Sequence, residues 1–433
     1  MTAILKLALA SAIVLASCVF PGVASAAGPG ATIPPGTVIT MQNWQQYRQF
    51  MPDSLIALFS GKYQWKFPPD FRMVVSPTTV YRNPPQFAKD TQKYASQVRI
   101  VNLPDGGHNI EGYVAGLPFP NPQEPLKGWK LLVDDWYAYQ PVVLCGPDVW
   151  GIQQDRFGNR TPTHLIWDTR RMSHNSDPGH PVNDPRGKGE FLVEYTQLVV
   201  PEQIKYLTIM TIYYDNLSKP EDLYVFIPAL RRSLRMSTAA RCAPFANGDW
   251  TYDDTHRGAF NGNATRFDAD YLGKRRILES LDVTNDLNKL LDYKNYYQPV
   301  MWGKPTLETW QVRDTWVINV HPIPAFVKGY CYARRILYID EESYLSEWAD
   351  LYDANNVLWK ADYDPQGMVQ VPGVGEAWNN DGWGSIYDLQ NSHMSLGVLG
   401  VWHANQDCKN LHGVDYTNFE HFFTLSALAQ IMR

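Results

Sequence analysis

The one carboxylate–histidine cluster in this chain is Asp253, Asp254 and His256, in the run TYDDTH. Adjacent carboxylates beside an imidazole are the right types for general acid–base work or for holding a cation. They equally make a polar loop capped by its own aspartates, and the sequence leaves both readings open. Arginines stand on either side: Arg231, Arg232 and Arg235 upstream, Arg334 and Arg335 downstream. These can meet an anionic head group at a cavity mouth, or pair with Asp253, Asp254, Asp340 and Glu341 and staple a sheet. In a strand, Arg231 and Arg235 share one face while Arg232 shares the other with Leu230 and Leu234, which makes Arg232 the inward candidate. The ten histidines form no H-E-x-x-H pair, and His174 and His180 have loop spacing. There is no G-x-S-x-G elbow and no phosphate loop, and Gly373-Val374-Gly375 is too short for a dinucleotide fingerprint. No catalytic residue, metal or cofactor is assigned, and the expectation is a protein without covalent chemistry.

The N-terminus has the form of an export signal. Lys6 precedes an apolar run from Leu7 to Val19 and the small-residue site Ala24-Ser25-Ala26. That run is too short to span a bilayer, which takes about 20 residues. Cleavage after Ala26 gives a soluble periplasmic product. The alternative is a lipobox, Leu15-Ala16-Ser17-Cys18, with lipidated Cys18 as an outer-membrane anchor. Cys145, Cys242, Cys331 and Cys408 remain after cleavage, and two structural disulfides are expected, with three pairings open. The formal charge of −6 argues against nucleic acid, which demands a basic footprint. The composition is aromatic-rich, with 15 Trp, 25 Tyr and 17 Phe. Such residues favour strands and either pack a large core or line a cavity for an apolar molecule.

The elements that would position these residues are mostly strands. Residues 27–39 read as a loose linker, and 40–433 as one strand-rich α+β domain with no clean second domain. Helical patterns run from Thr40 to Phe50, Pro52 to Ser60, Asn83 to Ser96, and Leu425 to Met432. Val98–Val101 and Ile110–Ala115, around Asp105-Gly106-Gly107, predict a hairpin. The stretch 116–148 reads as proline-rich, then extended. From Glu190 the pattern is almost purely β, and the four runs between Trp310 and Tyr363 form an antiparallel meander. There Tyr344, Ser346, Trp348, Asp350 and Tyr352 alternate with Leu345, Glu347, Ala349 and Leu351. Ten or more such strands must curl, close or stack. Tyr206, Met210 and Ile212 on one strand, with Trp316 and Ile318 on another, are the cavity candidates, and Arg232 is their polar partner.

Three blocks carry a resemblance. They are Tyr94–Pro120, the pair IPALRR (Ile227–Arg232) and TYDD (Thr251–Asp254), and the meander Cys331–Lys360. In this order they resemble the Gram-negative periplasmic family known as domain of unknown function 1329, similar in fold to the lipoprotein carriers LolA and LolB. The resemblance implies a large curved antiparallel sheet forming an unclosed half-barrel, capped by helices, whose concave face holds acyl chains. It also implies association with an RND-type transporter and an outer-membrane β-barrel. Gly258–Ala264 and Trp378–Trp383 match no motif of that family. The resulting expectation is a periplasmic carrier or chaperone for a hydrophobic small molecule, lipid or lipoprotein-like cargo. The alternatives are a protein–protein assembly factor of an envelope transport complex, or a hydrolase using the Asp253/Asp254/His256 loop.

Overall fold

The computed structural model describes residues 31–432 except 238–240, 246–247, 282, 285 and 380–383. The export signal, Cys18 and residues 27–30 lie outside the described residues. Ile33 and Ile39, in the segment expected to be a loose linker, are buried in the core, and Val38–Thr40 is a strand.

One 14-stranded antiparallel sheet organises the chain. Its order is Arg232–Met236, Asp222–Ile227, Thr208–Tyr214, Glu190–Val200, Arg160–Arg171, Val143–Gln154, His393–Leu399, Gly384–Asp388, Leu358–Tyr363, Ser346–Tyr352, Arg334–Asp340, Thr309–Pro322 and Phe267–Leu281. His403–Ala404 pairs beside Val143–Gln154. Two meanders therefore meet where His393–Leu399 pairs with Val143–Gln154, and the sheet ends in two edges instead of closing. It is an unclosed half-barrel.

Helices cover it: α1 (Asp53–Ser60), α2 (Pro85–Tyr94), α3 (Lys127–Tyr137), α4 (Leu287–Leu291), α5 (Phe419–Phe422) and α6 (Leu425–Gln430). Among the described residues no helix is long and apolar enough to cross a membrane. The expected alternation holds from Trp348 to Tyr352, but a bulge in the pairing with Arg334–Asp340 turns Tyr344 and Ser346, expected on the Trp348 face, toward α3. Leu345, Ala349 and Leu351 pack with α3, while Trp348 and Tyr352 face the N-terminal segment. On that second face Trp302, Trp310, Trp348, Tyr363 and Tyr387 stack, with Trp302 and Tyr363 centroids 4.8 Å apart. Much of the aromatic excess is spent there. Helix α1 begins after Pro52 without a capping side chain of its own. Asp350 of the sheet takes the role, accepting from the Asp53 N–H at 3.0 Å and the Ser54 N–H at 3.1 Å. Gly61, at φ 68, ends the helix.

Helix α3 corrects the extended reading of 116–148. Trp129, Leu132, Val133, Trp136 and Tyr137 recur at i, i+3, i+4, i+7 and i+8, which is helical spacing. Its first turn lies hard against the strand Phe267–Leu281, where a side chain at Gly128 would meet the Ala269 backbone. That 15-residue edge strand was also not foreseen. The chain from 241 to 266 connects the region of one sheet edge to the other and packs on the α3 face through Ala259, Phe260 and Ala264. We call it the strap. Of the three open disulfide pairings, the structure holds Cys145–Cys408 and Cys242–Cys331. The second ties the start of the strap to Cys331, three residues ahead of the strand Arg334–Asp340.

Candidate ligand-binding site

Between the strap, α3 and the sheet lies a cavity of about 180 Å³. Five tryptophans line it: Trp136 from α3, Trp150 and Trp167 from the sheet, Trp250 from the strap, and Trp402. Leu144, Val149, Ile152, Leu165, Phe191 and Leu396 complete most of the apolar wall. Trp136 is the hinge of the arrangement, with ring centroids 5.4 Å from Tyr213 and 5.2 Å from His256. Gly262, at φ 66, lets the strap lie against the Trp136 ring, which a side chain there would strike at 2.8 Å.

The strap is held down by a buried ion network. Asp253 accepts from Arg241 and Arg266, both at 3.0 Å, and lies 3.7 Å from Arg335. Asp254 accepts from the Tyr332 hydroxyl at 2.6 Å, from the Thr251 N–H at 2.9 Å and from Arg335 at 3.4 Å. Burial pushes the Asp253 carboxyl up, but Arg266, Arg241 and Arg335 outweigh it and hold the group below the usual carboxylate range. A carboxylate clamped by three guanidinium groups is a poor proton acceptor. His256 turns away from this pair to Glu194, 3.1 Å distant, and to the Tyr213 hydroxyl at 3.2 Å. The loop is therefore built as a staple. Its arginine partners are Arg335, as the sequence allowed, and Arg241 and Arg266, which it did not single out. Asp340 pairs instead with Arg313, and Glu341 with Lys274.

A second set of acids was missed. Asp362 and Asp364 share one side of the strand end and are hydrogen-bonded to each other. Asp362 accepts from the Trp250 indole at 3.2 Å and from the Ala259 N–H at 3.0 Å, so it also anchors the strap. Asp364 lines the cavity with Asp135, which accepts from the Ser346 N–H at 2.9 Å and hydroxyl at 3.0 Å. Burial raises both carboxyls to about 7, against the opposing pull of Arg257. The signal was in the sequence: Asp362 lies inside a predicted strand and Asp364 one residue beyond its end, and residues at i and i+2 point the same way while the chain stays extended.

None of the six sequence candidates lines this cavity. Arg232 sits exposed on the outermost strand, after Arg231 has taken a left-handed turn at φ 49. Its neighbour Arg235 pairs with Asp222. Residues on both faces of this edge strand are exposed, so the inward assignment fails. Tyr206 is 40% exposed in the turn before its strand. Met210 and Ile212 are buried against the C-terminal segment, with Phe422, Phe423 and Leu428. The opposite face of that strand, through Tyr213, is the one that looks toward Trp136 and His256. Trp316 and Ile318 are on the α3 face but are packed into its core beside Tyr344.

Comparison with known proteins gives a family and no activity. A chain 22% identical over 426 residues is the uncharacterized protein PA3922 of Pseudomonas aeruginosa, covering 93% of this chain and 83% of that one. Among solved structures, a DUF1329 family protein from Desulfovibrio piger is 14% identical, covering 71% of this chain and all of its own, with a TM-score of 0.48. A Vibrio parahaemolyticus domain named for outer-membrane lipoprotein sorting is 11% identical, covering 70% of this chain and 99% of its own, with a TM-score of 0.47. The family model described as protein of unknown function (DUF1329) matches residues 38–429. Because that match takes in nearly all of the sheet, the strap and the covering helices, the chain belongs to the DUF1329 family.

Proposed function

We propose that this protein is a periplasmic, non-catalytic carrier that holds a hydrophobic ligand in the cavity under the strap and delivers it toward the outer membrane. The observation that carries the reading is the cavity itself: about 180 Å³ of space walled by five tryptophans in a molecule that otherwise packs its aromatics tightly. Apolar walls with a few convergent polar groups are the usual make-up of a small-molecule site. Burial of the ligand at about 25 cal/mol per Å² supplies the affinity. An apolar cavity of about 150 Å³ already admits benzene. The space under the strap takes a ring or a short acyl segment as it stands, and a longer chain requires the strap or α3 to move outward. Release follows the same movement on docking to an acceptor, with an RND-type transporter and an outer-membrane β-barrel as the partners.

The test is thermal unfolding of delipidated protein against a panel of phospholipids, fatty acids and sterols. A rise in melting temperature with at least one class supports the carrier. An unchanged melting temperature across the panel removes its main support. The assembly-factor reading has one observation of its own: the edge strand Arg232–Met236 is exposed on both faces, with Leu230 and Met236 uncovered beside it. Such edges accept an added strand. A pull-down that recovers a pump or barrel, with no lipid in any preparation, would favour it.

A further inference from the structure

We infer that the ligand of this cavity is an amphiphile with an anionic head group, a carboxylate or a phosphate monoester, seated on Arg257. The inference rests on the carrier reading and adds the chemistry of what is carried.

Arg257 follows His256 in the strap and lines the cavity, with its side chain half-buried. Other interior arginines have partners, although Arg171 has only the Ala138 carbonyl, at 3.3 Å. Arg170 donates to Asp184, Arg241 and Arg266 to Asp253, Arg313 to Asp340, and Arg335 to Asp254. Among the described residues Arg257 has no carboxylate within ion-pair distance and no acceptor on its guanidinium. The acids on the same wall do not need it. Asp135 is served by Ser346, Asp364 by Asp362, Asp254 by Arg335 and Tyr332, and Glu194 by His256. Asp135 and Asp364 act on Arg257 through the field and not by contact.

A half-buried guanidinium without protein acceptors keeps its donors open to an incoming anion. Its five donors in a planar fork match the two oxygens of a carboxylate or the oxygens of a phosphate. The aromatic wall beside it, beginning at Trp136, suits an apolar body, and the volume limits that body to a ring or a chain of moderate length. Tyr81, Arg171 and His256 also bear on this end of the cavity, together with Asp135 and Asp364. Since both aspartates ionise near neutrality, they repel a bound anion more as the pH rises. Binding of a carboxylate, whose own charge is constant over this range, is therefore tighter at pH 6 than at pH 8.

The experiment uses the delipidated full chain and reads binding by calorimetry. The probes are octanoate, octyl phosphate, octanol and octylammonium, with acetate and inorganic phosphate as heads without a tail. At least one octyl anion should bind about 10-fold or more tighter than octanol, and Arg257→Gln should remove about 10- to 100-fold of that affinity while leaving octanol unchanged. Arg257→Lys should keep part of it. Which octyl anion binds separates a carboxylate from a phosphate ligand. Equal binding of octanoate, octyl phosphate and octanol, preference for octylammonium, or indifference to Arg257→Gln overturns the head-group inference and leaves the carrier standing. Acetate or phosphate binding as tightly as the octyl anions overturns it as well. If no probe binds, the carrier reading falls too. Should Arg257→Gln fail to fold, the wild type decides: octyl anions that bind no tighter than octanol refute the site.

Discussion

Replacing Arg335 with methionine tests whether the strap is held by its ion network. The Arg335 side chain is 1% exposed, within reach of both Asp253 and Asp254, with the rings of Phe267, Tyr330 and Tyr332 5.0 to 5.4 Å away. After Arg335→Met, Asp253 keeps Arg241 and Arg266. Asp254 keeps only the Tyr332 hydroxyl and the Thr251 N–H, and loses its one cation. Removing one partner of a buried pair costs about 3–5 kcal/mol. With an unfolding entropy near 2.1 cal/mol/K per residue, roughly 400 residues unfolding together give about 0.8 kcal/mol/K, hence a fall in Tm of about 4–6 °C. Arg335→Lys keeps the charge but cannot fork between two carboxylates, so it should recover part of the loss. Asp254→Asn in the Arg335→Met background should also recover part, because the stranded charge is gone. The assay is differential scanning calorimetry at neutral pH on all four proteins. A Met variant that melts within about 1 °C of wild type, or a double variant no better than the single, would refute the reasoning.

Three further outcomes follow from the same geometry. The unfolded Asp135 titrates near 3.8 and the folded one at about 7, so the native state holds more protons between these values. Ligand-free stability should therefore fall as pH rises from 5 to 8, by about 3 kcal/mol from this group, and Asp135→Asn should flatten the profile in urea titrations. Gly258 has φ 63, and a side chain there would overlap the Ser346 hydroxyl that serves Asp135; Gly258→Ala should destabilise by about 2–4 kcal/mol, whereas Gly36→Ala, with open space around it, should show the backbone part alone. Removing either disulfide should lower stability by about 2–5 kcal/mol. Only the loss of Cys242–Cys331, which moors the strap, should also weaken ligand binding in a titration; equal effects from Cys145–Cys408 would count against the strap as the cavity's lid.

The half-barrel was legible because its meander alternates with period two and its turns are marked, as at Asp340–Glu342 and Asp353–Asn356. Helix α3 was missed although Trp129, Leu132, Val133, Trp136 and Tyr137 have helical spacing. The prolines before it and its β-favouring aromatics drew the reading toward strand. The edge strand Phe267–Leu281 hid behind Asp268, Asp270, Lys274 and Arg276, charges that suit a strand with one side in water. Period two also yields two faces, and in Thr208–Tyr214 both are apolar, so nothing local separates Met210 and Ile212 from the Tyr213 side. The cavity depends on contacts far apart in sequence. Asp254 and Arg335 are 81 residues apart, and Asp135 and Ser346 are 211 apart. Arg257 gives no local signal at all, because its isolation is a property of where the strap crosses the sheet.

The central claim is that the space under the strap holds an apolar ligand. Native mass spectrometry with lipid extraction, on protein purified from its own cell envelope, addresses it most directly when wild type is compared with Leu165→Trp, which fills the cavity from its sheet wall. The account predicts a co-purifying apolar ligand near equal stoichiometry on the wild type and its loss from the variant. A wild type that is ligand-free, or a ligand retained equally by both proteins, would contradict it.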